Sequence, residues 1–291
     1  MTYIIENANL YKNNQLYKTS LLVDNQKILS VQPTFSKYRY MKMDAKNFIM
    51  TPTNVFYCKG IPELKNYTTE RNYFITQFLL KGCTTVLVST EPIEYIYELD
   101  AKVETVRKLF SRSPLDYIIG LTIPLKLLTP ELVKKCKRKK IPSLFIELND
   151  PNELKNIPWG WIREAIFPYN FPFIPVFHNH ENIEKKLTVW NAILTKEKIP
   201  HLSEMLYENK PISFPSLKKI GIYPMKGYLQ VGGELTYNLY LLNENDHLHE
   251  INERSLTITV HKGDVIRAGN KVYYNPKKGE EIVIKRPSFF L

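Results

Sequence analysis

No apolar stretch of about 18 residues occurs anywhere in the 291-residue sequence, so nothing in it reads as a membrane-spanning helix. The opening "MTYIIENANLYKNNQ" lacks the layout of a signal peptide, so a soluble, cytoplasmic protein without a membrane partner is expected. Cysteine is scarce. Cys58, Cys83 and Cys136 have no metal-ligand spacing and form no even-numbered disulfide framework, so reduced, packed thiols are expected. Acidic residues are short too: 29 Asp and Glu against 40 Lys and Arg leave a formal charge of +11 and a pI near 9.3. That balance permits contact with nucleic acid, anionic lipid or acidic partners without choosing among them. No RNA- or DNA-binding motif accompanies it.

The densest cationic cluster is Lys134, Lys135, Lys137, Arg138, Lys139 and Lys140, at the end of a predicted helix. Cations there oppose the negative end of the helix dipole and sit well in water. The alternative is a polyanion-binding patch. What the chain has in quantity is apolar surface, 44% of residues with 12% aromatic, enough for a sizeable core in two domains or one large one.

The two ends share a texture. "TYIIENANLY", "QLYKTSLLVD" and "QKILSVQPT" alternate apolar and polar residues between Asn-rich turns, as half-buried strands do. The last seventy residues return to it, in "KGYLQVGGELTYNLYLLN", "SLTITVHKGDVIRAGNKVYYN" and "GEEIVIKRP". Between them lie five strand–helix repeats, from "NFIMTPTNVFY" with "TTERNYFITQFLLKG" to "FPFIPVFHNH" with "ENIEKKLTVWNAILTKEK". Thr68 or Thr69 is expected to cap the first helix and Gly82 to stop it. Thr129 with Pro130 opens the third. Such alternation predicts a parallel sheet or barrel with right-handed crossovers. A complete eight-unit barrel takes about 250 residues, and residues 51–221 supply only five to six units. After Lys198 the sequence reads as one or two helices with no convincing strand, so either strands 6 to 8 are missing or two weak strands hide in residues 199–221.

The tail "KKIGIYPMKGYLQVGGELTYNLYLLNEND" resembles a signature near the C-terminus of the cyclic amidohydrolases, the group of dihydroorotase, dihydropyrimidinase and allantoinase. Gly221, Pro224, Lys226, Gly227, Val231 and Gly232 fall in register with it. "LLKGCTTVLVST" is similar to that group's "A-x-x-G-x-T-T-x-x-D" segment, and "DAKNFIMTP" to the strand that enters its barrel. The resemblance covers nearly the whole chain in order. It implies an α/β fold: a truncated (β/α)-barrel of five to six strand–helix units, residues 51–221. Residues 1–50 and 222–291 together form a small β-sandwich.

It also implies a metal centre, which this sequence has lost in large part. Members of the group carry "P-G-F-I-D-x-H-x-H" at the tip of the first barrel strand, where two histidines spaced by one residue can share a metal. Here Phe56 stands for the aspartate, Cys58 for the first histidine and Gly60 for the second. Strand four offers Glu147 and no lysine. Strand five offers His178 and His180, either as metal or anion ligands or as relics bonded locally. Glu147 is expected to pair with Lys59 or His178 rather than hold a metal. Cys58 as a nucleophile would need a lowered pKa and a neighbouring base. His247 and His249 read as a solvated turn. Trp159 and Trp161 read as core filling or as an exposed partner surface.

The expectation from these residues is a protein that has lost metal-dependent hydrolysis and acts in binding, assembly or regulation, with no cofactor. A homodimer across an open barrel seam, or another protein, is the expected partner. The alternatives are a hydrolase of cyclic amides with one divalent metal (Zn or Mn), and a polyanion or nucleic-acid binding module.

Overall fold

The alternating segments at the start of the chain become β1 (Thr2–Lys12), β2 (Gln15–Asp24), β3 (Lys27–Gln32), β4 (Met41–Asp44) and β5 (Phe48–Pro52). A strand–helix alternation follows: β6 (Asn54–Cys58), α1 (Tyr67–Gln77), β7 (Cys83–Ser89), α2 (Leu99–Phe110), β8 (Asp116–Pro124) and α3 (Pro130–Arg138). It continues with β9 (Leu144–Glu147), α4 (Trp159–Ile166), β10 (Phe173–Val176) and α5 (Ile183–Lys196). A last helix, α6 (Phe214–Ile220), leads to β11 (Tyr237–Leu241), β12 (Leu256–His261), β13 (Asp264–Ala268) and β14 (Lys271–Val272). This computed structural model describes residues 1–12, 15–62, 66–179, 181–242 and 256–289. Among them no helix is long and apolar enough to cross a membrane.

Two compact units divide the chain. The first comprises Met1–Asn54, Lys65–Thr84 and Pro224–Asn275; the second comprises Val55–Leu64, Thr85–Tyr223 and Pro276–Leu291. Two segments therefore sit on the other side of the division expected at residues 51 and 222. Residues 65–84 cluster with the first unit because Asn238 donates its side-chain amide to the Gly82 carbonyl (3.0 Å) and Arg267 donates to that of Leu80. Residues 276–291 cluster with the second, where they bond to β8 as described below.

In the first unit both chain ends enter one nine-stranded sheet, in the order β14-β13-β12-β11-β5-β1-β2-β3, with β4 paired to β1. It is mostly antiparallel; β1 runs parallel to β4 and β5. Leu21 and Val23 of β2 share one apolar core with Tyr237 and Leu239 of β11 and Val260 of β12. Strands that are not neighbours in the sheet thus face each other, and the sheet curls over its own core. The turn expected in "HKGD" is there: Lys262 (φ 52) and Gly263 (φ 78) are both left-handed, as a two-residue hairpin requires. Lys226, from the amidohydrolase-like signature, is 8% exposed and donates to both carboxylate oxygens of Glu234 at 2.8 Å.

The second unit is a half-barrel sheet of five strands in simple chain order, β6 to β10. Pairing is parallel in register, for example Val86 with Tyr117, Leu121 with Leu144, and Ile174 with Phe145. Every residue of β7 is buried, and so is every residue of β8 but Pro124. Helices that cover a parallel sheet demand this unbroken apolar character. Phe56, Val86, Val88, Ile118, Phe145 and Ile146 on these strands are buried. Val176 is half-buried.

The sheet's inner face supplies Val55, Leu87, Ile118, Phe145 and Ile174 to one core, filled from the other side by Leu202, Ile212, Leu217, Ile220 and Ile284. Residues 199–212 also reach both edges of the sheet. On the β10 side, Phe173 N donates to Pro200 O and Leu202 N to Phe173 O, both at 2.9 Å. On the β6 side, Asn209 N donates to Tyr57 O (2.9 Å) and Ile212 N to Val55 O (2.8 Å). The segment read as one or two helices therefore holds one helix, α6, and two short edge pairings. Both edges of the expected open seam therefore bond to residues 199–212.

The C-terminal segment adds to β8. Tyr117 N donates to Glu280 O (3.0 Å) and Ile282 N to Tyr117 O (2.8 Å). Tyr169 donates its hydroxyl to Ile284 O (2.7 Å). The aromatic stretch around α4 divides between the two roles expected of it: Trp159 is buried, with its indole N–H on Leu154 O, while Trp161 is 67% exposed.

Candidate functional site

Five parallel strands end on one side of the second unit, and in such sheets the carboxyl ends are where ligands are held. Here those ends are Tyr57–Cys58 of β6, Ser89 of β7, Pro124 of β8, Glu147 of β9 and Val176 of β10, with His178 two residues beyond. Strand alternation decides which of them face the core. Val55 and Tyr57 do; Phe56, buried at 3% exposure, points to the opposite face. Of these two aromatic residues, Tyr57 is the one on the core side.

The Tyr57 ring stacks on Phe145, with centroids 5.1 Å apart and planes 23° apart. Its hydroxyl is 2.9 Å from Ser89 Oγ. Burial pushes the phenol pKa up to about 12; the Ser89 hydrogen bond works against this, while Cys58, Glu208 and Glu147 add to it. Tyr57 is therefore a neutral phenol at any ordinary pH. Neither Ser89 nor Tyr57 stands out in the sequence as a polar group of interest. The one signal was the period of two, which makes Val55 and Tyr57 face-mates.

Cys58 is fully buried and its thiol donates to Gly60 O at 3.2 Å. A nucleophilic cysteine needs partial exposure and an electropositive neighbour, and this one has no exposure. Cys83 and Cys136 are buried free thiols too, and burial pushes that of Cys136 up to about 12. Gly60 (φ 151) offers no side chain. Lys59 is exposed.

Glu147 lies 3.5 Å from His178 Nε2; the carboxylate side chain is 13% exposed and the imidazole 55%. Of the two partners expected for Glu147, His178 is the one in place. His180, His247 and His249 lie outside the described residues. Among the described residues, Cys58, Glu147 and His178 belong to no convergent group of three His, Cys, Asp or Glu ligand atoms. A metal that activates water takes three protein ligands and an open position. The donor set on these strand ends does not fit that requirement.

The cationic cluster sits on α3. Thr129 caps the helix by accepting from Leu132 N, Pro130 stands in its first turn, and Leu132, Val133 and Cys136 are buried. Lys139 and Lys135 reach Asp100 at 2.7 and 3.2 Å. Lys139's hydrogen bond leads in holding the Asp100 carboxyl below the usual carboxylate range. Lys137 donates to Phe167 O (2.7 Å), Lys140 lies 4.7 Å over the Tyr169 ring, and Lys134 and Arg138 are exposed.

The fold of this chain is similar to those of solved hydantoinases and dihydropyrimidinases. The similarity to D-hydantoinase (dihydropyrimidinase) from Thermus sp. has a TM-score of 0.66 at 10% identity, over 99% of this chain and 100% of that one. Dihydropyrimidinase from Brevibacillus agri NCHU1002 gives 0.61 at 11%, over 99% of both chains. L-hydantoinase (dihydropyrimidinase) from Arthrobacter aurescens gives 0.61 at 12%, over 97% of this chain and 100% of that one. No protein-family model matches the sequence, and no curated protein does. Likeness at this identity is a likeness of fold.

Proposed function

We propose that this chain is a cyclic-amidohydrolase-like protein that has lost metal-dependent hydrolysis and works in binding, assembly or regulation. One observation carries the reading. At the tip of β6, where the resembling motif has an aspartate and two histidines, the chain has Phe56, Cys58 and Gly60, and the Tyr57 ring lies over Phe145. An aromatic stack fills space that a substrate and a metal-bound water would need. Glu147 supports the same reading, because its carboxylate lies 3.5 Å from His178 Nε2 and has a partner without a metal.

The reading is tested by elemental analysis of protein purified without chelator, together with turnover. We expect less than about one transition metal per chain, since fewer than three recognisable ligands remain. Dihydroorotate, dihydrouracil and hydantoin should show no hydrolysis above background with added Zn²⁺ or Mn²⁺. The second reading is a hydrolase of cyclic amides with one metal on Glu147, His178 and His180. It is favoured by the adjacency of Glu147 and His178 and by the hydantoinases that share the fold. Stoichiometric metal, with turnover abolished by alanine at His178 or His180, would establish it and sink the first.

A further inference from the structure

We infer that the end of α3 and the turn after α4 form a binding surface for single-stranded nucleic acid. This goes beyond the reading above and does not depend on it.

Helix-end electrostatics explain only part of the α3 cluster. Lys135 and Lys139 share the Asp100 carboxylate, and Lys135 also donates to Ile96 O. Lys134 and Arg138 are one helical turn apart, about 6 Å along the axis, exposed, and among the described residues without an ion-pair or hydrogen-bond partner. Lys137 gives one proton to Phe167 O, which leaves two donors on its ammonium, and Lys140 is exposed over Tyr169. Four cations thus face solvent on one helix end.

The second component is aromatic. α3 packs against α4, and the Lys137 bond ties the helix to the turn that carries Phe167, whose side chain is 67% exposed. Backbone-tracking cations beside an exposed ring are what a single strand needs: phosphates on the ammonium and guanidinium groups, a base on the ring. An anionic membrane fits less well. The other exposed ring of α4, Trp161, has the carboxylate of Glu164 one turn away, and Glu131 stands at the start of α3, so pressing both helices against lipid phosphates would bring like charges together.

The test is fluorescence anisotropy of a labelled 20-nucleotide oligouridine titrated with the full chain between 50 and 200 mM NaCl. Four cations on four phosphates give a slope of log K on log salt near −2.8, at about 0.7 per single-strand contact. Lys134→Glu with Arg138→Glu should weaken binding at least tenfold and flatten the slope by about 1.4. Phe167→Ala should weaken it about tenfold with the slope unchanged. Absence of saturable binding at 50 mM NaCl would overturn the inference, as would a wild-type slope near zero, whether or not the charge-reversed variant folds. Equal affinity of the variants would overturn it too. So would capture by phosphatidylserine vesicles that the same charge reversal abolishes, since the surface would then belong to lipid.

Discussion

Tyr57 has an ordinary composition and an unusual position. Its hydroxyl is bonded to Ser89 and its ring lies flat on Phe145, so two losses can be separated. Tyr57→Phe removes one neutral hydrogen bond and should cost about 1 kcal/mol. Tyr57→Ala empties the volume above Phe145 and should cost about 3–5 kcal/mol, read as a lowered denaturation midpoint. The phenol also sets a pH limit. Its folded pKa of about 12 lies above the ordinary 10.0, and that of Cys136 lies about as high above an ordinary 9.0. Unfolded chains release these protons first, so the stabilisation is whole below about pH 9 and falls as pH rises toward 12. Urea midpoints measured from pH 8 to 11 should decline, and Cys136→Ala should remove the earliest part of the decline. A flat profile would contradict it.

Helix starts and stops were legible unevenly. Thr129 and Pro130 announce α3, and the helix begins there with Thr129 as its cap; Thr129→Ala should cost about 1 kcal/mol. For α1 the cap is Asn66, whose side chain accepts from Thr69 N, rather than Thr68 or Thr69. Asn was a competent cap hidden beside two more conspicuous ones. α1 stops at Gln77, before Gly82, which closes the short turn Leu79–Lys81 that follows; the reason for a glycine there is three-dimensional. At φ 67 an added Cβ would lie 2.5 Å from Asn238 Nδ2. Gly82→Ala therefore meets both left-handed strain and a clash with a buried amide, and should cost at least about 2 kcal/mol in equilibrium unfolding. The edge pairings of residues 199–212 were not legible. Each is two or three backbone hydrogen bonds with no run of alternating side chains behind it, so no period announces it. Glu147 and His178 were visible as residue types, but only neighbouring parallel strands show them 3.5 Å apart.

Across the whole molecule, a buried charge and a distant segment each help to hold a unit together. Lys226 and Glu234 form a largely buried ion pair in the first unit. Removing one partner leaves a charge uncompensated, so Lys226→Ala should cost about 3 kcal/mol, while Lys226→Met with Glu234→Leu should recover much of it. A thermal scan of the three proteins decides this. The resemblance implied a small β-sandwich from both chain ends, where the structure has one curled sheet, and it put residues 276–289 there, whereas they cluster with the second unit. Their strand-like texture is the same in either place, and bonds such as those with Tyr117, Tyr169, Arg107 and Ser113 distinguish the two.

Those bonds have a consequence for the order of events on the ribosome. Tyr117 is made some 160 residues before its backbone partners, Glu280 and Ile282. Until then, β8 lacks part of its bonding and the core lacks Ile284. A nascent chain stalled with residue 275 outside the tunnel should therefore be cut by protease within the second unit. One stalled with residue 289 outside should resist. Chaperones that recognise exposed apolar strands would have this long interval in which to act.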